Sequence, residues 1–297
     1  MSPTRIIDSH HHIWLKKDVP WLAEEPRPRI FGPYEAIRRD YPVEEYIADH
    51  GKFNVVKSVY VQCNWDPKRS IDETAWLQSV ADRSGFPHGI VAYIDLSADD
   101  VEAKLDAQIA FRNVCGVRQQ IHWHQNPNWA YVEDPVLFDS PKWRDGLRRV
   151  AERGLPFDLQ IFPSQMKPIR GMLDAFGDLP FILNHAGMPE DRSPAGWKIW
   201  SDGIKELGQH KNLYVKFSGL NTFEHRCSAD LMRPVVQESL ASFGTDRCMF
   251  GSNFPIEKMW TSYETYVSDM IMAIGPVSQA DLDQIFYNTA ASVYQLK

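Results

Sequence analysis

The sequence predicts an α/β protein built as a single (β/α)8 TIM barrel, and three observations support this. Short runs of β-branched or aromatic residues recur along the chain, and a longer segment with helical spacing follows most of them. Eight such runs can be counted, which is the number of strands in a closed barrel of this kind. The length of 297 residues fits one domain covering residues 1–297, because such barrels commonly use about 250 residues.

The predicted strands alternate with predicted helices. Strands are expected at Arg5–His12, Val55–Asn64, Gly89–Asp95, Gly116–His122, Phe157–Ile161, Phe181–His185, Leu213–Ser218 and Cys248–Asn253. Helices are expected at Ile71–Ser84, Asp99–Phe111, Lys142–Arg153, Met166–Phe176, Gly196–Gln209, Asp230–Phe243 and Gln279–Tyr294. Each helix returns the chain to the start of the next strand, so all eight strands are expected to be parallel.

The connection after the first strand is too long for an ordinary βα loop. It runs from Trp14 to Glu45 and contains PWLAEEPRPRIFGPY, which is rich in proline and aromatic residues. We interpret this segment as a lid. The alternative is an arm that only packs on a neighbouring subunit, and exposed aromatic side chains there would favour a homodimer.

Composition narrows the range of partners and locations. With 43% hydrophobic residues the chain can bury a sizeable core. Its net charge of -7 gives no general attraction for nucleic acid or anionic membranes, so a small-molecule substrate is the expected partner. A polar run follows the first residues too early for a signal peptide, and no stretch approaches the roughly 20 apolar residues of a membrane span. We therefore expect a cytoplasmic protein with reduced cysteines.

Polar residues recur at strand positions that point into the barrel. Side chains two residues apart on a strand share a face, and one face of every barrel strand fills the interior. The polar residues of matching parity near the carboxyl ends are Asp8, His10, His12, Gln62, Asn64, Arg118, Gln120, His122, Asp158, Gln160, His185, Lys216, Ser218 and Asn253. Burying so many polar groups without partners would be costly, so they predict a hydrated functional pocket at this end of the barrel.

Several motifs carry a family resemblance from the first strand to the eighth. In chain order they are IDSHHHIW, CGVRQQIHWH, FDLQIFPSQM, LNHAGMP, VKFSGL and RCMFGSNFP. With these motifs the chain resembles the amidohydrolase-2 family of the amidohydrolase superfamily, in the branch of TIM-barrel lactonases for sugar lactones and 2-pyrone-4,6-dicarboxylate. The resemblance implies a hydrolase that opens a lactone or related carboxylic ester of a small, oxygen-rich substrate, and the inward cations Arg118 and Lys216 predict that this substrate is anionic.

The resemblance also implies roles for three histidines. In the family, a first-strand pair and a later strand histidine bind a divalent metal or contact the substrate, and here these are His10, His12 and His185. Three imidazoles are enough for a catalytic zinc ion with an open position. The family's eighth-strand aspartate, which binds metal and activates water, is replaced by Asn253. An amide cannot accept a proton at neutral pH, so both a zinc-dependent and a metal-free site stay open.

The loss of this aspartate leaves the general base to another residue. The predicted catalytic set is His122, Asp158, His185 and Asn253. With Asn253 unable to act as base, His122, Asp158 or the loop residue His225 would take the proton of the attacking water.

Two cations and three amides complete the predicted site. The predicted substrate-binding residues are Gln62, Arg118, Gln120, Gln160 and Lys216. A guanidinium binds a carboxylate through two hydrogen bonds, so Arg118 suits an anionic substrate. The alternative for Arg118 and Lys216 is an internal salt bridge with Asp8 or Asp158.

The same residues are compatible with two other functions. An amide at position 253 suits a lactone isomerase or decarboxylase, because neither reaction has to generate hydroxide. A catalytically inactive binding protein is the third hypothesis. Hydrolysis adds the mass of a water molecule to the ligand, isomerisation leaves the mass unchanged, and a binding protein gives no turnover.

If a metal ion binds, the imidazole nitrogens of His10, His12 and His185 should lie within roughly 2.0–2.3 Å of it, as expected for zinc. Elemental analysis of protein purified without chelator measures the occupancy. Full activity of a metal-free sample would contradict a metal-dependent mechanism.

Overall fold

Eight parallel strands form the barrel in the computed structural model, which describes residues 2–296. In chain order they are β1 (Ile6–His11), β2 (Val55–Val61), β3 (Gly89–Tyr93), β4 (Val114–Arg118), β5 (Phe157–Leu159), β6 (Phe181–Leu183), β7 (Leu213–Phe217) and β8 (Cys248–Phe250). Each strand pairs in parallel with the next, which confirms the predicted number, order and direction. Regular pairing stops before the predicted ends, so several of the polar residues follow their strands directly.

Hydrogen bonds between the first and last strand segments close the barrel. The Asn253 backbone N–H donates to the His10 carbonyl at 2.7 Å, and the His12 N–H donates to the Phe254 carbonyl at 2.7 Å. Deeper in the barrel, the Ser9 hydroxyl donates to the Phe250 carbonyl at 2.6 Å. These bonds place the histidines after β1 directly beside the residues after β8.

Helices surround the strands. In chain order they are α1 (Pro20–Ala23), α2 (Val43–Asp49), α3 (Ser70–Ser84), α4 (Val101–Ile109), α5 (Pro141–Glu152), α6 (Pro163–Met166), α7 (Arg170–Ala175), α8 (Pro194–Leu207), α9 (Ala229–Phe243), α10 (Tyr263–Ile274), α11 (Gln279–Asp283) and α12 (Thr289–Val293), with a π-helical turn at Gln284–Asn288. The helix predicted at Met166–Phe176 is two helices, because Pro168 cannot donate a backbone hydrogen bond and interrupts it. Within residues 2–296 no helix has the length and apolar character needed to span a membrane.

Two apolar layers hold the barrel together. The larger lies between the strands and the outer helices and contains fully buried Trp143 and Trp200. Their indole N–H groups donate to Gln119 and to the Ala186 carbonyl. The smaller layer joins strand residues such as Val59 to Tyr294, near the end of the chain. The C-terminal segment therefore packs against the strands.

The segment between β1 and α2 packs beside the barrel mouth, as the lid interpretation requires. Trp14 and Tyr41 exchange backbone hydrogen bonds of 3.0 and 2.9 Å, which fasten its two ends. The Trp21 indole donates to the Cys63 carbonyl at 2.9 Å, and its ring lies 5.6 Å from that of Phe31. Since Cys63 follows β2, the segment is held against the barrel by a polar bond and by aromatic packing.

Asp158 and Lys216 form a fully buried ion pair inside the barrel. The ammonium lies 2.7 Å from a carboxylate oxygen of Asp158 and 2.8 Å from the Tyr294 hydroxyl. That hydroxyl donates to the other carboxylate oxygen at 2.6 Å, and Asn184 donates to the carboxylate at 2.8 Å. Each charge is therefore paired and hydrogen-bonded, which a buried ion pair requires.

Replacing Lys216 by methionine should destabilise the protein by about 3–5 kcal/mol, because the substitution leaves a buried carboxylate without its cation. Urea unfolding measures the difference. The matched control is Lys198→Met, which removes an exposed ion pair with Asp202 and should leave the unfolding free energy nearly unchanged. Equal stability of the Lys216 variant and the parent would show that the pair does not support the fold.

Candidate active site

A cavity opens at the carboxyl ends of the strands. Its wall is formed by His12, Trp14, Trp21, Arg29, Ile30, Phe31, Cys63, Asn64, Arg118, Gln120, Gln160, His185, Met188, Gly219, Thr222, Phe223, Asn253 and Ile256. The lid contributes the aromatic part, and residues after the strands contribute the polar part. The wall contains two guanidinium groups and no carboxylate. It is therefore locally cationic in a chain whose net charge is -7.

Hydrogen bonds hold the rings of His12 and His185 in place. The Nδ1 atom of His12 lies 2.7 Å from the Val61 carbonyl oxygen, and Nδ1 of His185 lies 2.9 Å from the Ser218 hydroxyl and 3.1 Å from the Ser218 carbonyl oxygen. Because a carbonyl oxygen only accepts, Nδ1 carries the hydrogen in His12, whereas the Ser218 hydroxyl can donate to His185 or accept from it. In the neutral form, the Nε2 of His12 then has a free lone pair. Burial, reinforced by the Arg118 charge, lowers the pKa of His12 to about 3, so the ring is neutral at physiological pH.

Gly219 allows His185 and Asn253 to approach each other. It lies two residues after the end of β7 and adopts a φ of +60°, a conformation that favours glycine. A Cβ atom at this position would lie 2.5 Å from Nδ1 of His185 and 3.1 Å from Nδ2 of Asn253. The missing side chain is therefore part of the site's geometry.

His10 lies beneath the cavity wall. Its ring centroid is 5.2 Å from that of His12 and 4.8 Å from that of His185, and the residue is fully buried. Neither ring nitrogen has a hydrogen-bond partner within the described chain. Burial and the Lys216 charge keep its pKa well below the ordinary value, so His10 is also neutral.

The three imidazoles do not form the predicted metal site in this geometry. Among residues 2–296, no three His, Cys, Asp or Glu side chains converge in a way that could hold a metal ion. Asn253 adds a neutral amide instead of the carboxylate that would complete the set. The divalent metal therefore stays a prediction.

Arg118 is a buried cation without an anion. Its guanidinium donates to Gln160 at 3.1 Å, to Asn184 at 3.2 Å and to the Gln62 carbonyl at 2.6 Å, and all three acceptors are neutral. No carboxylate in residues 2–296 forms an ion pair with it, and its Nε atom has no partner there. The group is held in place but its charge is not neutralised, so it is suited to bind an anion.

The three predicted glutamines have different positions. Gln120 and Gln160 line the cavity and are joined by a hydrogen bond of 3.1 Å. Gln62 lies behind the wall, where its carbonyl accepts from Arg118 and its side chain accepts from the Asn64 N–H at 2.9 Å. In the structure, Gln62 thus orients Arg118 instead of facing the cavity.

Two predicted catalytic groups and one predicted substrate contact lie away from the cavity wall. Asp158 and Lys216 are fully buried against each other. They form the internal salt bridge that the sequence analysis gave as the alternative to substrate binding. His122 packs between Tyr131 and Phe162, with centroid distances of 5.6 and 5.7 Å. Strand alternation predicts that these side chains point inward, but it does not specify how deep they lie.

His225, the remaining candidate base, supports the lid. Its ring stacks on Trp260 at 5.6 Å, and a Cβ atom on Gly32 of the lid would lie 2.6 Å from it. His225 is absent from the cavity wall. Its contacts are those of a packing residue.

Asn253 has an unpredicted neighbour in Glu257. The turn after β8 gives Asn253 a φ of +57°, and the backbone N–H of Glu257, four residues later, donates to the Asn253 carbonyl at 3.3 Å. Glu257 is fully buried, and this burial raises its pKa to about 7. The sequence signal is the spacing alone, an acidic residue one helical turn after Asn253. The sequence analysis also did not predict Arg29 and Asn184. Arg29 lies in the lid, and Asn184 has the opposite parity to the inward residues of its strand, so strand alternation selects neither.

The fold and the motifs together define the class of protein. The sequence model described as Amidohydrolase matches residues 7–296, so the chain belongs to the amidohydrolase family. This confirms the family identified from the sequence motifs. The protein is an enzyme of that family with lactonase-like relatives.

Particular relatives show how far the likeness extends. The chain is 37% identical to the uncharacterized protein y4mH of Sinorhizobium fredii, covering 100% of both chains. It is 25% identical to an L-fucono-1,5-lactonase of Burkholderia ambifaria, over 88% of this chain and 83% of the relative.

Among solved structures, an amidohydrolase from Burkholderia multivorans with bound zinc superposes with a TM-score of 0.83 at 23% identity, covering 99% of this chain and 100% of the other. A 2-pyrone-4,6-dicarboxylic acid hydrolase from Pseudomonas putida gives 0.73 at 21% identity, covering 98% of each. These two likenesses show the fold.

Asn253→Asp should produce a less active protein whose stability depends more on pH. The new carboxyl would lie one helical turn from the buried carboxyl of Glu257, and like-charge repulsion raises the pKa of such a pair. A carboxyl whose pKa is higher in the folded than in the unfolded protein destabilises the folded state at pH values above its unfolded pKa. The loss of unfolding free energy should therefore grow as the pH rises from about 4 through about 7.

Urea unfolding near pH 5 and near pH 8 tests the stability of this variant, with the exposed Asn128→Asp as control. Lactone turnover with and without zinc tests its activity. A large zinc-dependent gain in turnover would contradict the expectation and would identify the natural asparagine as a loss of function.

Proposed function

We propose that this protein hydrolyses the ring ester of a small, oxygen-rich lactone that carries a carboxylate. The observation that carries the proposal is the cavity itself, where Arg118 and Arg29 face no carboxylate, the imidazole of His12 has a free Nε2 lone pair and the imidazole of His185 lies in the same wall. Lactone-acting relatives support the reaction class. L-Fucono-1,5-lactone is uncharged, so the cationic wall favours a different, anionic lactone as substrate.

The residues suggest a sequence of steps. The substrate carboxylate pairs with Arg118, and the lid aromatics cover the ring and exclude water. A water molecule attacks the ester carbonyl carbon while the Nε2 of His12 or His185 accepts one of its protons. The bond to the ring oxygen then breaks, and the same imidazole returns the proton to that oxygen. The product is a hydroxy acid, whose new carboxyl group releases a proton to solvent.

Substrate binding also improves the base. The Arg118 charge contributes to the low pKa of both His12 and His185. A carboxylate bound to Arg118 offsets that charge, so the pKa of the imidazoles rises and they accept a proton more readily. Binding and proton transfer are thereby coupled through one guanidinium.

The proposal also includes a small-molecule partner, without nucleic acid or membrane, and a cytoplasmic location.

Decarboxylation is the second candidate. Several structural neighbours are named decarboxylases, but at 11–16% identity they show only the fold. The observation that favours this chemistry is the amide at position 253, which removes the family's water-activating carboxylate. Loss of carbon dioxide lowers the product mass, whereas hydrolysis adds a water, so mass spectrometry separates the two reactions.

The direct test is a lactone panel that pairs carboxylated with uncharged members, including 2-pyrone-4,6-dicarboxylate and L-fucono-1,5-lactone. Hydrolysis is followed by proton release and confirmed by product mass. Turnover should be faster for the carboxylated members. Failure to open any lactone would contradict the proposed function, and a preference for uncharged lactones would contradict the proposed substrate class.

Arg118→Lys should lower kcat/KM for a carboxylated lactone by at least about 30-fold, equivalent to about 2 kcal/mol. The ammonium keeps the charge but loses the planar pair of donors that fits a carboxylate. The effect should be much smaller for an uncharged lactone. The control is Arg148→Lys on α5, where the exposed guanidinium pairs with Asp145. Equal losses with charged and uncharged lactones would show that Arg118 does not recognise the carboxylate.

A further inference from the structure

Three side chains of the cavity wall are linked by hydrogen bonds through one shared oxygen. The Arg118 guanidinium donates to Oε1 of Gln160 at 3.1 Å, and the same oxygen accepts from Nε2 of Gln120 at 3.1 Å. All three residues line the cavity and are buried. At the end of this chain, Oε1 of Gln120 is a buried atom without a hydrogen-bond partner among residues 2–296. The wall therefore contains an acceptor that the described chain leaves unpaired.

We propose that Gln120 is a specificity-determining residue whose side-chain oxygen accepts a hydrogen bond from a substrate hydroxyl. The substrate is then a lactone that carries both a carboxylate and ring hydroxyls, the class formed by the lactones of aldaric acids. The inference rests on the hydrolysis of carboxylated lactones proposed above and adds the hydroxyl group to that substrate.

The direction of the hydrogen bonds determines which end of each amide is free. A guanidinium has only donors, so Gln160 must turn its oxygen towards Arg118. Its NH2 group then lies 3.4 Å from the sulfur of Met188, a weak acceptor. Because the Gln160 oxygen only accepts, Gln120 must present its own NH2 group to it, and the opposite orientation would set two acceptors 3.1 Å apart. Arg118 thus determines, through Gln160, that the free end of Gln120 is an oxygen.

The unpaired oxygen of Gln120 requires a donor from the ligand. Buried acceptors in folded proteins nearly always have a hydrogen-bond partner, and an unpaired one destabilises the protein. A carboxylate has no hydrogen to donate, so the group that binds Arg118 cannot also satisfy Gln120. An ammonium group would donate, but the wall contains guanidinium groups and, within residues 2–296, no carboxylate that would attract a cation. An uncharged hydroxyl is the donor that fits this wall.

Asn64 gives the wall a second unpaired oxygen. Its Oδ1 atom is buried without a partner in the described part of the chain, and the residue lines the cavity. Its backbone is held by the N–H, which donates to the Gln62 side chain at 2.9 Å. Asn64 follows β2, whereas Gln120 follows β4, so the two oxygens belong to different sides of the site. This pattern matches a ligand with more than one hydroxyl.

The two lactones named for relatives each carry only one of these features. A 2-pyrone-4,6-dicarboxylate has carboxylates and no hydroxyl, whereas L-fucono-1,5-lactone has hydroxyls and no carboxylate. The wall of this cavity offers Arg118 for a carboxylate and Gln120 for a hydroxyl. A lactone with both groups satisfies both residues, and each of the other two lactones leaves one of them without a partner.

A matched pair of lactone acids tests the role of Gln120. One is the five-membered lactone of a pentaric acid, used in each of its stereoisomers, and the other is the same compound with hydrogen in place of both ring hydroxyls. Their kcat/KM values are divided by the rate constants of hydroxide-catalysed opening, because ring hydroxyls also activate the ester. The corrected value for the best stereoisomer should be at least about tenfold higher, since a site built around a hydroxyl discriminates against its loss. Equal corrected values for the parent protein would overturn the proposal.

Gln120→Met keeps the length of the side chain and removes its oxygen. It should reduce the preference for the hydroxylated lactone about tenfold, while kcat/KM for the lactone without hydroxyls should change little. The matched control is Gln125→Met, an exposed position in the same loop after β4 that does not line the cavity, and it should keep the parent's preference. Equal losses with both lactones would show that Gln120 only supports the wall, and would contradict its role in specificity.

Equilibrium binding to the parent separates recognition from hydrolysis and does not depend on the folding of a variant. The probes are cyclopentanone analogues of the two lactone acids, in which a methylene group replaces the ring oxygen and prevents hydrolysis. Titration calorimetry should give at least about tenfold tighter binding of the hydroxylated probe. That preference in a protein that opens no lactone would support the role of Gln120 and contradict the hydrolytic function. Lactone turnover without any preference for hydroxyls would leave the hydrolytic function standing and overturn the role of Gln120.

Discussion

The buried ion pair between Asp158 and Lys216 determines the charge of the whole site. Because Lys216 and the Tyr294 hydroxyl satisfy this carboxylate, it is not available to neutralise Arg118. Asn184 links the two by donating to Asp158 and accepting from Arg118. Arg118 is thereby held firmly by neutral acceptors while its charge remains unpaired. The anion that this cation lacks is what we assign to the substrate.

The lid and the barrel contribute different properties to the cavity. Residues after the strands are fixed by the closed sheet, and they supply the groups whose positions must be exact for proton transfer and carbonyl attack. The lid supplies Trp14, Trp21 and Phe31, which are large apolar surfaces for a ring, together with Arg29. This division is typical of the fold, because the loops can vary in substrate recognition without disturbing the strands.

Position 253 shows how one substitution changes the interpretation of a site. Relative to the family pattern, an asparagine there removes a base. In the structure, however, the buried carboxyl of Glu257 is present one helical turn later, and the Glu257 backbone N–H donates to the Asn253 carbonyl. The imidazoles of His12 and His185 and the guanidinium of Arg118 line the same cavity as Asn253. The site is organised for chemistry that does not depend on an aspartate at this position.

The sequence by itself determined the barrel, the order of its strands and the family, since hydrophobic periodicity and motif order are local properties of the chain. It also determined that His12, Arg118, Gln120, Gln160, His185 and Asn253 belong to one site, because alternation assigns each to the inward face. Only the tertiary structure decided which inward residues reach the cavity. Arg118 reaches the cavity wall, whereas Lys216 lies deeper in the barrel and is neutralised by Asp158. Glu257 and Arg29 came from loops, where no period constrains the side chain, so their roles depend on contacts that form only when the barrel closes.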